Sequence, residues 1–338
     1  MPRPGLTTTL LCALAFAVGA QGLSLQGVSK RPRVPHDSLP RPLSAEAPLG
    51  AEELGQGLGA SAARVALGRR LFFDPVLSAK RDFACASCHR PELGLADDVP
   101  LSSGHDGART KRNAPSLWNK GLSVDVMWDG SAATLEAQAL LPIDDPDELG
   151  LGVEAALERL AADEAYAAEF QAAFEGPPTR ARLGQALADF LRALMVADSP
   201  VDRFRAGDFS ALDEAERAGL WLYEGRGGCW RCHNGPNFSD EDFHNTGVGT
   251  VAGQSEAGRA AVTGDAADRG KFRTPGLRLL TRTAPYMHDG SLATLEEVVE
   301  FYREGGHANG NLSEHMKPLE LTDEDVAHLV AFLEALSR

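Results

Sequence analysis

The sequence Cys-X-X-Cys-His occurs twice in this chain of 338 residues. The copies are formed by Cys85, Cys88 and His89, and by Cys229, Cys232 and His233. In this motif each cysteine forms a thioether to a vinyl group of haem, and the histidine ligates the iron. The pattern therefore predicts two covalently attached haems c, one at each motif.

The spacing of the two motifs suits two domains of ordinary size. Their histidines, His89 and His233, lie 144 residues apart (233 − 89). Apolar periodicity predicts helices, and no segment shows sustained alternation of apolar and polar residues. The predicted helices cover residues 61–73, 153–160, 165–174, 179–195, 212–224 and 322–336. We therefore predict an all-α protein with two tandem c-type cytochrome domains, at residues 49–205 and 206–338, each with one haem.

The N-terminus has the pattern of an export signal. Arg3 precedes an apolar run at residues 10–18, and small residues end at Ala20. That run is too short for a membrane span, so we predict a cleaved signal peptide at residues 1–20 and a soluble periplasmic protein. The many prolines in residues 21–48 predict an extended linker. Cleavage would remove Cys12, which leaves only the four cysteines of the haem motifs.

The chain is strongly acidic. It has 48 acidic and 33 basic residues, and its formal charge is −15. This charge argues against nucleic acid and anionic membranes as partners and favours a basic donor protein. Solubility alone explains the same composition, so both interpretations stay open.

A repeat with an offset of 160 residues relates the two halves. Residues 113–117 and 128–136 recur at 273–277 and 288–296, and in both copies the second block starts 13 positions after the proline (128 − 115 and 288 − 275). An Asp-Gly-Ser turn precedes a predicted helix start in each copy, and Thr294 with Glu297 predicts a capping box. The same offset aligns Tyr302 with Pro142 (302 − 160).

This alignment predicts that the two irons differ. Tyrosine can ligate iron, whereas proline has no donor atom. We therefore expect an open iron at His89 and an iron at His233 that is closed by Tyr302. A core aromatic is the alternative role for Tyr302. The competing ligands of the second iron are Met287, Met316, His307 and His315.

Two further residues have candidate roles in chemistry. An open iron exposed to peroxide needs an acid–base group, and Glu148 follows Pro142 by six residues. The acidic loop around Glu148 could equally be only a solvated surface. Trp128 lies between the two motifs and is either an electron relay or a core tryptophan.

These motifs resemble those of the bacterial di-haem cytochrome c peroxidases and of the related enzyme that matures methylamine dehydrogenase. The resemblance runs from about residue 60 to the C-terminus. It is carried by both Cys-X-X-Cys-His motifs and by residues 112–115, 128–130, 134–138 and 284–290. It implies that Gln138 and Glu148 lie on the distal side of the first haem and that Trp128 lies between the haems. It also implies a calcium ion, held by one asparagine side chain and two backbone carbonyls, those of Asn113, Thr283 and Pro285.

Three positions bear on which member of this family the chain resembles. The resemblance implies methionine at position 302 in most peroxidases and tyrosine in the maturing enzyme. A phenolate ligand lowers the potential of an iron. His105, 16 residues after His89, matches a histidine that blocks the first haem of many peroxidases until the second is reduced, although an exposed loop residue is the alternative. Ser131 stands where the family commonly has arginine.

The sequence leaves three hypotheses for function. The first is a periplasmic peroxidase that reduces hydrogen peroxide at the N-terminal haem, with electrons passed through the C-terminal haem from a small cytochrome c or cupredoxin. The second is a di-haem oxidase that modifies side chains of a partner protein through a high-valent iron state. The third is a non-catalytic electron carrier. A homodimer stays open, and neither nucleic acid nor a membrane span is expected.

Overall fold

The computed structural model describes residues 60–338, so the predicted signal peptide and linker lie outside the described residues. The helices are α1 Ala62–Phe73, α2 Leu135–Gln138, α3 Leu141–Asp144, α4 Val153–Ala162, α5 Glu164–Phe174, α6 Arg180–Ala193, α7 Pro200–Arg205, α8 Glu214–Glu224, α9 Ala260–Thr263, α10 Leu295–Arg303 and α11 Asp323–Ala335. Two short strands, β1 Phe243–His244 and β2 Phe272–Arg273, pair antiparallel. None of the helices from residue 60 onward is long and apolar enough to cross a membrane.

The predicted helices are confirmed, and their ends follow local capping chemistry. Helix α1 begins after Ser61, whose side chain accepts a hydrogen bond from the N–H of Arg64, and it ends before Asp74-Pro75. At the start of α10, Oγ1 of Thr294 accepts from the N–H of Glu297 at 3.1 Å, and the Glu297 carboxylate accepts from the N–H of Thr294. The predicted capping box is therefore present, and the mainly helical class is confirmed. The division into two haem domains stays a prediction.

Helix α6 ends two residues before the predicted end at Met195. The cause is Asn119, a buried residue about 75 positions away in sequence. Its N–H donates to the carbonyl of Leu194 at 2.8 Å, and its carboxamide both accepts from the N–H of Val196 at 2.7 Å and donates to the Val196 carbonyl at 2.9 Å. Because these backbone groups are bound to Asn119, they cannot continue the helical pattern.

Two helix pairs, each crossing at a glycine, form the centres of the packing. A Cβ on Gly68 of α1 would lie 1.9 Å from the carbonyl oxygen of Ala186 in α6, and one on Gly219 of α8 would lie 1.9 Å from that of His328 in α11. Only glycine permits such close contact between helices. Buried apolar residues surround each pair, in clusters drawn mainly from residues 67–196 and from residues 201–336.

The sequence repeat is also a structural repeat. Val126 pairs with Ala132 in one copy, and Tyr286 pairs with Leu292 in the other, again 160 residues apart (286 − 126). A helix follows each turn, as predicted. The copies then diverge, because α10 is continuous to Arg303 whereas the first copy is interrupted between α2 and α3. Pro142 has no N–H to donate to a carbonyl one turn earlier, which accounts for the interruption.

Reciprocal backbone hydrogen bonds join the two copies. The N–H of Asn113 donates to the carbonyl of His288, and the N–H of Arg273 donates to the carbonyl of Trp128, both at 2.8 Å. Each donor and each acceptor is related to its counterpart by the offset of 160 (273 − 113 and 288 − 128). The junction therefore has the self-complementary form of a two-fold contact, although it lies within one chain.

We predict that Asn119→Ala destabilises the protein by about 3 kcal/mol, because it leaves buried backbone groups of Val196 without partners. Urea unfolding, followed by far-UV circular dichroism, measures this change. Asn311→Ala is the matched control, since its partly exposed side chain donates to the Ala266 carbonyl, and we expect it to cost less than about 1 kcal/mol. Equal losses in the two variants would contradict the role assigned to Asn119.

Candidate redox site

Each Cys-X-X-Cys-His motif borders a cavity. The first, which we call the His89 cavity, has a volume of about 70 Å³. Its wall includes the three motif residues together with Gln138, Pro142 and Glu148. The second, the His233 cavity, has a volume of about 250 Å³ and includes the other motif residues together with Trp128 and Tyr302. Gln138 and Glu148 thus border one cavity, and Trp128 and Tyr302 border the other.

The cysteines and histidines of both motifs fit covalent haem. None of the four motif cysteines forms a disulfide within residues 60–338, and the backbone of each motif turns so that the histidine N–H bonds to the carbonyl of the first cysteine. Nδ1 of His89 lies 3.0 Å from the Leu95 carbonyl, and Nδ1 of His233 lies 3.1 Å from that of Phe238. A carbonyl only accepts, so Nδ1 carries the proton and Nε2 keeps its lone pair for a metal.

Burial also favours the protonation states that haem attachment needs. It lowers the pKa of the imidazoles of His89 and His233, which keeps them neutral and able to ligate. Burial raises the pKa of the Cys85 and Cys229 thiols to about 12. Thiols that resist ionisation are poor zinc ligands, so this environment favours thioethers over a thiolate metal site.

The wall of the His89 cavity combines an acid with an amide. The N–H of Leu149 donates to the carbonyl of Pro142 at 3.0 Å, which holds the neighbouring Glu148 beside Pro142. Burial, and then the charges of Asp145 and Asp147, raise the pKa of the Glu148 carboxyl. Gln138 is the last residue of α2. Glu148 can therefore hold a proton at a higher pH than an ordinary glutamate, next to an amide that can orient a small ligand.

His105 lies beside the His89 cavity but is absent from its wall. Its N–H donates to the Glu148 carbonyl at 2.8 Å, and its Nε2 lies 3.3 Å from the Asp106 carboxylate. The preceding residue, Gly104, does border the cavity. A Cβ on Gly104 would lie 1.9 Å from the Asp147 carbonyl oxygen, so glycine is needed at this close approach. The proposed gating role of His105 stays a prediction.

Tyr302 borders the His233 cavity near the end of α10. Burial raises the pKa of its phenol well above the ordinary value, and the nearby Cys232 and Cys229 contribute in the same direction. Binding as a phenolate would therefore require a cation that outweighs burial, which an iron would provide. Three of the competing ligands, Met287, His315 and Met316, border the same cavity. His307 does not, and its ring packs against Phe301 at 5.2 Å.

Trp128 lies at the junction between the repeat copies. Its indole N–H donates to the Asn113 carbonyl at 2.8 Å, and its ring meets that of His288 edge-on at 6.3 Å. Together with the bond from Arg273 to its own carbonyl, these contacts fix the indole between the two halves. This position suits the relay predicted from the sequence.

The three proposed calcium ligands, Asn113, Thr283 and Pro285, border the His233 cavity. The Asn113 Nδ2–H group donates to the Val99 carbonyl at 3.2 Å and to the Pro100 carbonyl at 3.3 Å, which leaves its Oδ1 for a cation. Carboxamide and carbonyl oxygens are ligands that calcium accepts. The donor chemistry therefore fits a hard cation, and the calcium site stays a proposal.

A segment that is longer in the second copy than in the first makes side-chain contacts at this junction. The proline of the repeat lies 42 positions after the motif histidine in the second copy (275 − 233) and 26 positions after it in the first (115 − 89). From this longer segment, Glu256 binds both His288 and Arg112, each at 2.6 Å. Arg259 donates to the carbonyl of Asp129 at 3.2 Å and stacks on Phe243 at 3.7 Å.

Arg259 also lies next to the turn at Ser131, the position where the family commonly has arginine. Its guanidinium lies so close to Gly130 that a Cβ there would be 2.1 Å away. An arginine thus reaches this turn from the other half of the chain, although the sequence has serine after Asp-Gly. Sequence reasoning missed Glu256 and Arg259, because only the extra length of the segment signalled a role.

Two unequal cavities, each bordered by a Cys-X-X-Cys-His motif, in a mainly helical chain are typical of the di-haem c-type oxidoreductases. Comparison with known proteins agrees. A family model described as di-haem cytochrome c peroxidase matches residues 62–210. The chain is 40% identical over 277 residues to the methylamine utilization protein MauG of Methylorubrum extorquens, covering 81% of this chain and 78% of that protein. It is 35% identical over 274 residues to the cytochrome c551 peroxidase of Nitrosomonas europaea, covering 80% and 79%.

Among solved structures, a MauG-like protein associated with microbial copper homeostasis is similar in fold. The TM-score is 0.76 at 36% identity, and the match covers 82% of this chain and 90% of that one. The chain therefore belongs to the di-haem cytochrome c peroxidase family and is an oxidoreductase. This confirms the resemblance inferred from the motifs, and family membership implies haem c as the cofactor. Relatives carry both the peroxidase and the MauG names, so similarity alone leaves the substrate unresolved.

We predict that Glu148→Gln raises the free energy of unfolding more near neutral pH than near about pH 4. A raised pKa means that the folded state binds this proton more tightly than the unfolded state does. Wild type therefore loses stability as the pH rises from the unfolded pKa through the folded one, and glutamine avoids that loss. Chemical denaturation at both pH values measures the effect. The exposed Glu158→Gln is the control, and a pH-independent difference for Glu148→Gln would contradict the prediction.

Proposed function

We propose that this protein is a periplasmic peroxidase that reduces hydrogen peroxide in the His89 cavity, with electrons that pass through the His233 cavity. The observation that most strongly supports the proposal is the set of residues that form the wall of the His89 cavity. Of the described residues on that wall, none besides His89 is a histidine, methionine or tyrosine. His89 would hold an iron there, and the polar side chains of Gln138 and Glu148 on the same wall are suited to binding a small substrate.

The chain's own residues would divide the work as follows. Cys85 and Cys88 would hold the haem by thioethers, and His89 would ligate it through Nε2. When bound, haem c supplies an iron that exchanges electrons. Gln138 would orient the peroxide by hydrogen bonding. Glu148 would accept the proton of the inner oxygen and deliver it to the outer oxygen as the O–O bond breaks.

The overall reaction needs both electrons and protons. Two electrons and two protons convert one hydrogen peroxide into two waters, and Glu148 can relay protons because its pKa is raised. Trp128, which is bonded to residues of both repeat copies, is the proposed route for electrons between the two cavities. The electron donor in this proposal is a small periplasmic cytochrome c or cupredoxin, for which the acidic surface would provide steering.

Tyr302 favours a second candidate function, the oxidation of side chains in a partner protein. A phenolate ligand would lower the potential of the second iron and so would favour holding oxidising equivalents over accepting electrons from a donor. The MauG name of one relative agrees with this direction. A non-catalytic carrier has less support, because the described wall of the His89 cavity holds no second histidine and no methionine or tyrosine.

For Glu148→Gln we expect the peroxide reduction rate to fall by roughly 10²- to 10⁴-fold with both haems still attached, since glutamine cannot relay a proton. Stopped-flow mixing with hydrogen peroxide and turnover with reduced cytochrome c measure the two relevant rates. Glu158→Gln is again the control. An unaltered rate would remove Glu148 from the mechanism. Oxidation of a partner protein without turnover of cytochrome c would favour the second function.

For Tyr302→Phe we expect the oxidised second haem to change from six-coordinate low-spin to five-coordinate high-spin, because the phenolic oxygen is removed. Absorption and electron paramagnetic resonance spectra measure the change. Tyr286→Phe is the matched control, since Tyr286 borders the same cavity but its hydroxyl donates to the Leu280 carbonyl at 3.0 Å. Unchanged spectra for Tyr302→Phe would transfer the ligand role to Met316, His315 or Met287.

A further inference from the structure

Two buried nitrogen donors on the wall of the His233 cavity have unfilled hydrogen-bonding capacity, and a lysine borders the same cavity. Trp118 is 5% exposed and Arg273 is 3% exposed, and neither Nε1 of the first nor Nε of the second has a partner within the described chain. Lys120 borders the same cavity. Among residues 60–338, no ion pair is found for its ammonium. Buried donors are normally paired, so the two unpaired donors of Trp118 and Arg273, on the same wall as the half-buried Lys120, indicate a ligand.

The charges identify the ligand as an anion. Burial, and then the charge of Arg273, lower the pKa of Lys120 to about 7. Glu241 opposes this effect, and its Oε2 accepts from Nη1 of Arg273 at 2.9 Å while its buried Oε1 has no partner within the described residues. One carboxylate therefore stands against two basic side chains, of which Arg273 is buried and Lys120 is half-buried. A second negative group among these donors would balance the charge and satisfy the free N–H groups.

We propose that Trp118, Lys120 and Arg273 form an anion site that binds a carboxylate of the haem attached at Cys229 and Cys232. This inference rests on the proposed haem at that motif. Haem carries two carboxylates, and a carboxylate enclosed by protein needs paired donors. The other cations on the wall suit the role less well. Arg278 is already bound to Asp202 and to the Pro236 carbonyl, and Lys317 is exposed.

The site would also connect the two halves of the protein. Trp118 and Lys120 belong to the first copy of the repeat, and Arg273 belongs to the second. The N–H of Arg273 donates to the Trp128 carbonyl, so the proposed anion site lies next to the residue proposed to relay electrons. Cations beside a haem carboxylate stabilise the reduced state, which has one positive charge fewer. Lys120 is therefore expected to raise the midpoint potential of the second haem.

The experiment compares Lys120→Met, Trp118→Phe and Lys120→Arg in the protein with both haems attached. Resonance Raman spectroscopy follows the carboxylate bending bands of the haem, and redox titration gives its midpoint potential. We expect Lys120→Met and Trp118→Phe to shift the bending band towards that of a more weakly bonded carboxylate. Lys120→Met should also lower the potential, and Lys120→Arg should restore it. Trp221→Phe is the exposed control for tryptophan and should leave both readouts unchanged.

The possible outcomes separate this inference from the proposed function. If fewer than two haems are attached to the wild type, the proposed function fails. If both are attached but the variants resemble the wild type, the anion site is wrong. A shift caused by Lys317→Met in place of Lys120→Met would assign the carboxylate to Lys317 and overturn the proposal. A potential that depends on added acetate, with an unshifted bending band, would mean that the site takes a free carboxylate.

Discussion

Two backbone hydrogen bonds determine where the chemically important residues of this protein lie. They run from Asn113 to His288 and from Arg273 to Trp128, both at 2.8 Å. Each bond aligns one copy of the repeat on the other, and movement of either copy would break both. Trp128, the proposed relay, supplies one acceptor. Asn113 and Arg273, which are proposed to hold calcium and a haem carboxylate, supply the two donors. Glu256 and Arg259 add side-chain contacts across the same junction.

The two cavities differ because the two copies of the repeat differ in the segment that follows the turn. After the turn, the second copy continues as a helix to Arg303 and brings Tyr302 to the wall of the His233 cavity. In the first copy, Pro142 interrupts the helix and leaves a loop from which Glu148 reaches the wall of the His89 cavity. The two cavities therefore share the Cys-X-X-Cys-His motif but differ in the other residues on their walls. A proline supplies no ligand, and the loop that follows it supplies an acid whose pKa is raised by burial.

Much of this arrangement could be predicted, because its causes are local in sequence. The haem motifs, the capping box at Thr294 and the alignment of Tyr302 with Pro142 depend on short motifs and regular spacing. The early end of α6 could not be predicted, because Asn119 is far away in sequence. The same holds for Glu256 and for the crossings at Gly68 and Gly219, whose partners are brought together only by the fold. His307 was a candidate ligand of the second iron by its residue type. In the structure its ring packs against Phe301, and it does not border the His233 cavity.

We propose that only an iron held at the His89 motif is open to a small ligand. A cyanide titration of the oxidised protein, followed by electron paramagnetic resonance, distinguishes open from closed haems. We expect cyanide to bind to one haem per chain. In a variant in which Cys85 and Cys88 are replaced by alanine and which keeps the second haem, we expect no binding. Cyanide binding to both haems or to neither, or to the remaining haem of that variant, would show that the His89 cavity is not the open site.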